Sequence, residues 1–207
     1  MRKELDYFKV ESDYGGNQER FPDLMMKLGG CAAVTACDCC IFFDIYKGTK
    51  LYPYALNHLT RKDYFQFGMA MKPYLRPRWT GIDKLEIYTD GFGVFLSDHG
   101  CNSIKMKPLS GETETAQAKK AIIEQIDKGF PIPCLLLNHK NKAFKDFEWH
   151  WFLLTGYEIF EEKCMVKAVS YGEWYWFDFE ELWNTGYIRK GGLILFADES
   201  EHTNTHL

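Results

Sequence analysis

The chain has 207 residues, 46% of them hydrophobic and 16% aromatic, enough for one substantial core and too apolar for a disordered protein. A formal charge of −4 and an isoelectric point near 5.9 give no pull toward nucleic acid or an anionic membrane. No apolar run approaches the roughly 18 residues of a membrane span, the N-terminus MRKELDYFKVES lacks the apolar core of a signal peptide, and seven irregularly spaced cysteines fit free thiols, so a cytoplasmic protein is expected.

Residues 1 to 13 are charged but carry Leu5, Tyr7, Phe8 and Val10, which allows a short edge strand. The stretch from Tyr14 to Phe43 then runs from a glycine-containing loop into an apolar helix. Gly29 and Gly30 interrupt what precedes them, and Ala32, Ala33 and Ala36 let a helix begin and pack closely. Cys31 therefore falls at a helix N-terminus, where the macrodipole and unpaired N–H groups favour an anion, so the position predicts a thiol that ionises below the ordinary pKa of about 8.5. A small buried cysteine in a tightly packed helix is the alternative reading. The helix continues through Ile41, Phe42, Phe43, Ile45 and Tyr46 to Lys47-Gly48, and being apolar on nearly every side it should be central and buried.

Thr60 with Asp63 reads as a helix cap, followed by an apolar helical pattern that stops before Pro73. Residues 73 to 81 form a Pro/Gly connector, 82 to 88 allow a short helix, and Gly91 to Leu96 reads as a strand. The Gly-x-Gly there lacks the third glycine of a dinucleotide site. Ser110 to Gly129 predicts a helix capped by Thr113 or Thr115. Strands are then expected over Ile132 to Leu137, Glu148 to Tyr157, Cys164 to Ser170 and Glu173 to Phe179, with a polar loop over 139 to 146 and a hairpin connection at Tyr171-Gly172. A short helix over Asp178 to Trp183 and a last strand over Gly192 to Ala197 precede a polar tail from Asp198, expected to fray. Helices early and strands late predict an α+β fold, with helices packed on a C-terminal antiparallel sheet. No repeat or linker divides residues 1–207, so a single domain with an ordered core over about 14–197 is expected.

Three residues stand in a chemically suggestive order: Gln18 in a loop, Cys31 opening a helix, and His150 on a strand within HWFLLTGY. With Gly30-Cys31-Ala32-Ala33 and His150-Trp151 to Thr155-Gly156-Tyr157 as its motifs, this order resembles the papain-like cysteine peptidases, and among them the bacterial bacteriocin-leader-processing peptidases and their uncharacterised relatives. The resemblance implies a papain-like fold in which Cys31 attacks a carbonyl, His150 acts as base, and the Gln18 amide joins the Cys31 backbone N–H in an oxyanion hole. Gln18 lies 13 residues before Cys31, further than in papain, so its loop must fold back. Where the family places Asn or Asp to orient the histidine, the strand from Cys164 delivers Ser170, whose neutral hydroxyl either accepts the histidine N–H or merely serves the turn. The implied activity is that of a thiol hydrolase or acyl transferase acting on an amide, peptide or thioester bond. Its partner would be a peptide or an acyl-bearing small molecule or carrier, with no cofactor. A catalytically degenerate binding module on the same fold is the alternative.

His139 is the competing histidine, while His58 and His99 fall in exposed loops. Trp149, Trp151, Trp174 and Trp176 either fill the core or wall a cleft. Cys37, Cys39 and Cys40 have no second pair at zinc spacing, so no metal site is expected, and Asp38 among them needs a local partner.

Overall fold

A computed structural model describes residues 1–199. Its helices are α1 (Leu24–Gly29), α2 (Cys31–Tyr46), α3 (Arg61–Met71), α4 (Leu85–Asp98), α5 (Thr115–Asp127) and α6 (Phe179–Trp183). Its strands are β1 (Arg2–Glu4), β2 (Lys9–Val10), β3 (Asp13–Tyr14), β4 (Ile104–Ser110), β5 (Ile132–Leu136), β6 (His150–Phe160), β7 (Lys163–Ser170), β8 (Glu173–Asp178) and β9 (Gly192–Asp198). The fold is α+β. Seven strands form one antiparallel sheet in the order β4-β9-β5-β6-β7-β8, with β1 added beside β6.

β6 is the axis of the sheet. One edge of its first half pairs with β5, from His150 opposite Leu136 to Leu154 opposite Ile132, and the same edge of its second half pairs with β1. Along the other edge β7 pairs with one interruption: Leu154 faces Ala168 and Gly156 faces Lys167, so Thr155 is an extra residue on β6. Every residue from His150 to Tyr157 is buried, the pattern of a strand covered on both faces.

α2 packs against β6, and from Cys31 to Asp44 all of its residues are buried. Phe43 of α2 meets Phe196 of β9 at 5.0 Å between ring centroids, and Phe92 of α4 reaches the same ring at 6.4 Å, so helices and sheet share one apolar core. Each such side chain contributes roughly 1.5–3 kcal/mol on burial, against about 0–1 kcal/mol for an exposed ion pair, so this core dominates stability. The two carboxylates of α2 are each used to fix a loop. Asp44 accepts the backbone N–H groups of Leu51 and Tyr52, both at 2.8 Å, and turns the chain back after the helix; Asp38 holds the loop before it.

Gly91 to Leu96, expected as a strand, lies inside α4. Leu85, Tyr88, Phe92, Phe95 and Leu96 bury one helical face there, and that long-range packing overrides the local preference of Phe and Val for strands. Gly91 is required by contact, since a Cβ at this position would stand 2.3 Å from the Tyr74 carbonyl oxygen. The helix expected over 82 to 88 is the start of α4, at Leu85. β4 was not expected: exposed Lys105 and Lys107 alternate along it and Pro108 interrupts it, features that suit a sheet edge and obscure the apolar signal. It moves the next helix start from Ser110 to Thr115, and the Glu114 cap position makes no side-chain bond, so neither Thr113 nor Thr115 caps the helix. The loop after β5 contains a 3-10 turn over Lys142–Phe147. The Thr60 hydroxyl does cap α3, accepting the Asp63 N–H at 3.1 Å. The tail from residue 200 onward lies outside the described residues, and among those described no helix is long and apolar enough to cross a membrane.

Candidate active site

Gly30 occupies the cap position of α2 and offers no side chain, so the first-turn N–H groups are left to neighbouring atoms. The Cys31 sulfur lies among the backbone N–H groups of Trp151, Ala32 and Cys31 itself, against the beginning of β6. These donors draw the thiol pKa down, but the larger effect is burial at 4% exposure, which pushes it above its ordinary value. The sequence expectation of a readily ionised thiol is therefore corrected, because desolvation exceeds what the helix terminus supplies.

His150 opens β6 immediately beside Trp151. Its Nε2 is hydrogen-bonded to Ser170 Oγ at 2.7 Å, which leaves Nδ1 as the nitrogen for whatever shares its cleft. Burial lowers its pKa from 6.5 to about 3, so the resting imidazole is neutral. A neutral imidazole whose Nδ1 accepts a proton must carry its own proton on Nε2 and donate it to Ser170.

The Tyr171 ring lies flat on the imidazole, with centroids 4.5 Å apart and planes 3° from parallel. Tyr171 and Gly172 form the two-residue link between β7 and β8 with φ of +54° and +78°, the twist that tight hairpins favour. For a tyrosine this left-handed backbone is strained by about 1–2 kcal/mol. The turn is held from outside: Asn17 Nδ2 donates to the Tyr171 carbonyl at 2.7 Å, and the Tyr14 N–H donates to the Gly172 carbonyl at 2.7 Å.

The same loop carries Gln18, which lines one cleft of about 480 Å³ together with Cys31, His150 and Tyr171. Gln18 donates one amide hydrogen to the Lys27 carbonyl at 3.3 Å, and its buried Oε1 has no hydrogen-bond partner among the described residues. Asp38 sits two turns along α2 from Cys31 and accepts the Gly16 N–H at 3.1 Å, the Tyr64 hydroxyl at 2.6 Å and the Tyr7 hydroxyl at 2.9 Å. Burial raises its pKa from 3.8 to about 6 against the opposing pull of those donors. Gly16 is needed under this clasp, because a Cβ there would stand 1.9 Å from the Tyr64 hydroxyl oxygen. Asp38 thus ties the loop of Gln18 to the helix of Cys31.

The structure accordingly brings Cys31, His150 and Gln18 to one cleft and Ser170 behind the imidazole. His139 stands apart, with Nε2 on the Glu181 carbonyl at 2.9 Å and Nδ1 accepting the Asn141 N–H at 2.9 Å. Of the four tryptophans considered as cleft walls, Trp149 alone lines it; Trp151 is buried, and Trp174 and Trp176 face Lys167 and Arg2. Trp79, Glu148 and Tyr171 also line it, beside Leu28, Gly29, Thr80 and Gly81, and were not assigned from sequence. Backbone strain is the signal that marks two of the aromatics, since Trp149 also has φ +54°, but it is invisible before the chain is folded. Cys37, Cys39 and Cys40 are buried free thiols, and among the described residues no group of three His, Cys, Asp or Glu could hold a metal ion. No family model, curated protein or solved structure matches the chain.

Proposed function

We propose that the protein is a papain-like thiol enzyme that cleaves or transfers an acyl group at an amide, peptide or thioester bond. Cys31 is the nucleophile, His150 the base, Ser170 its orienting acceptor, and Gln18 with the Cys31 N–H the oxyanion donors. The observation that carries this reading is the hydrogen bond from His150 Nε2 to Ser170 Oγ at 2.7 Å in a cleft shared with Cys31 and Gln18. A ring held at Nε2 keeps Nδ1 unprotonated and facing the cleft, free to accept a proton as a general base must. Both resting groups are neutral, so the Cys31 proton passes to Nδ1 as sulfur attacks the carbonyl. The imidazolium then returns the proton to the leaving amine or thiol, and water or a second nucleophile releases the acyl group by the reverse sequence. One oxyanion donor of this kind is worth about 2.7–4 kcal/mol in the transition state.

The test is a panel of fluorogenic peptides, esters and thioesters with wild-type protein and Cys31→Ala, combined with mass spectrometry for an acyl adduct on Cys31. Turnover or an adduct that disappears in Cys31→Ala is expected. Absence of both across the panel would favour a binding module on the same fold, a reading to which the neutral Ser170 in place of a carboxylate lends support.

A further inference from the structure

Among the described residues lining the cleft, Glu148 is the one carboxylate, and no lysine or arginine stands among them. Glu148 Oε1 accepts the His139 backbone N–H at 2.7 Å, which fixes the carboxylate, and the carboxylate forms no salt bridge among the described residues. The rim beside it is aromatic. Trp149 is 40% exposed, with its ring fixed by an indole N–H bond to Asn138 Oδ1 at 3.0 Å, and Trp79 is 81% exposed. The protein already seats a cation on this rim: the Arg189 guanidinium lies 5.7 Å from the Trp149 ring centroid while its charge is matched by Asp83. A fixed carboxylate with no salt-bridge partner, bordered by the exposed Trp79 and the half-exposed Trp149, is the chemistry that selects an ammonium or guanidinium group.

We infer that the acyl substrate carries a cationic group next to the reacting carbonyl, recognised by Glu148 with Trp149 and Trp79. The inference rests on Cys31 being the nucleophile of this cleft. Glu148 attracts the cation and repels anionic acyl groups, so it sorts substrates by charge without touching the reacting atoms. The aromatic faces add attraction for the cation and hold its alkyl stem.

The experiment needs no knowledge of the natural substrate. Cys31 is modified with three methanethiosulfonates of similar size, the cationic 2-aminoethyl, the anionic 2-sulfonatoethyl and the neutral methyl reagent, and adducts are located by mass spectrometry. Each rate is divided by that of the neutral reagent on the same variant, and the cation-to-anion ratio is compared with that of a free small thiol. For the wild type this ratio should exceed the free-thiol value by about tenfold at low ionic strength and shrink in 0.5 M salt. In Glu148→Gln it should fall to about the free-thiol value. A wild-type ratio equal to that of the free thiol, with Cys31 readily modified by the neutral reagent, would overturn the charge selection alone. Failure of the neutral reagent to modify Cys31 would remove the nucleophile reading and the inference with it. Should Glu148→Gln fold poorly, salt dependence in the wild type decides.

Discussion

Replacing Ser170 by Asp probes whether His150 is energetically coupled to the Cys31 sulfur. The depression of the imidazole pKa from 6.5 to about 3 corresponds to about 5 kcal/mol against the imidazolium. The neutral Ser170 hydroxyl at 2.7 Å offsets little of it. A hydrogen bond between charged partners contributes about 1.5–3 kcal/mol where a neutral one contributes about 0.5–1.5, so a carboxylate at this position should favour the imidazolium by roughly 1–2 kcal/mol, or about 5- to 30-fold. That gain is smaller than the desolvation cost, so the pair stays mostly neutral at rest and the effect is one of rate. The assay is the second-order rate of Cys31 alkylation by iodoacetamide between pH 5 and 10, with the adduct mapped by mass spectrometry. In the wild type the rate should rise into the alkaline range, because the thiol pKa is raised. At pH 7 Ser170→Asp should react about 5- to 30-fold faster and Ser170→Ala severalfold slower. A folded Ser170→Asp protein that reacts at the wild-type rate throughout would refute the coupling.

His150 makes the native state sensitive to acid: its folded pKa lies below its unfolded one, so its contribution is complete above pH 6.5 and is lost as pH falls toward 3. Urea titrations should show His150→Gln losing less stability than wild type between pH 7 and 4. Asp38 acts with the opposite sign, because its folded pKa of about 6 lies above the unfolded value of 3.8, so its protonated-state advantage is present below pH 4 and is lost as pH rises through 6. Asp38→Ala strands the Gly16 N–H and the Tyr7 and Tyr64 hydroxyls, at about 1–3 kcal/mol each, and should lower both the urea midpoint and the Cys31-dependent turnover. Tyr171→Gly relieves roughly 1–2 kcal/mol of left-handed strain but removes the ring stacked on His150; the melting temperature should hold or rise while kcat for Cys31-dependent turnover falls.

The helix of Cys31 was legible because its apolar residues continue on all faces, a pattern only a central helix tolerates. β6, β7 and β8 were legible for a similar reason, as short runs of aromatic and branched residues between turn residues. α4 was misread because the glycines and β-forming residues of Gly91 to Leu96 are placed by contacts with Tyr74 and the core, which lie far along the chain. The order Gln18, Cys31, His150 and Ser170 was readable, but the electrostatics were not. Whether a thiol at a helix terminus is acidified depends on how much water reaches it, and that is set by β6, more than a hundred residues away. Tyr171 was read only as a turn residue because nothing local distinguishes a tyrosine held in left-handed geometry from one that is not.

The extra residue in β6 has a consequence for how the site tolerates change in chain length. Along a strand, alternate residues share a face, and a one-residue slip exchanges the faces. Counting back from the end of the β6–β7 hairpin, Tyr157 faces Val166 and Leu154 faces Ala168, so Thr155 reverses the parity of β6 between them. That reversal puts His150, rather than Trp149 or Trp151, on the side of Ser170. The aim of the imidazole is thus encoded in the register of β6 on β7 as well as in its contacts. If Thr155 instead paired regularly with Ala168, with the hairpin end fixed, Trp149 and Trp151 would take the side of Ser170 and the histidine would pass to the opposite face of the sheet, whereas deleting Thr155 would keep Leu154 opposite Ala168 and leave the imidazole aimed at the serine.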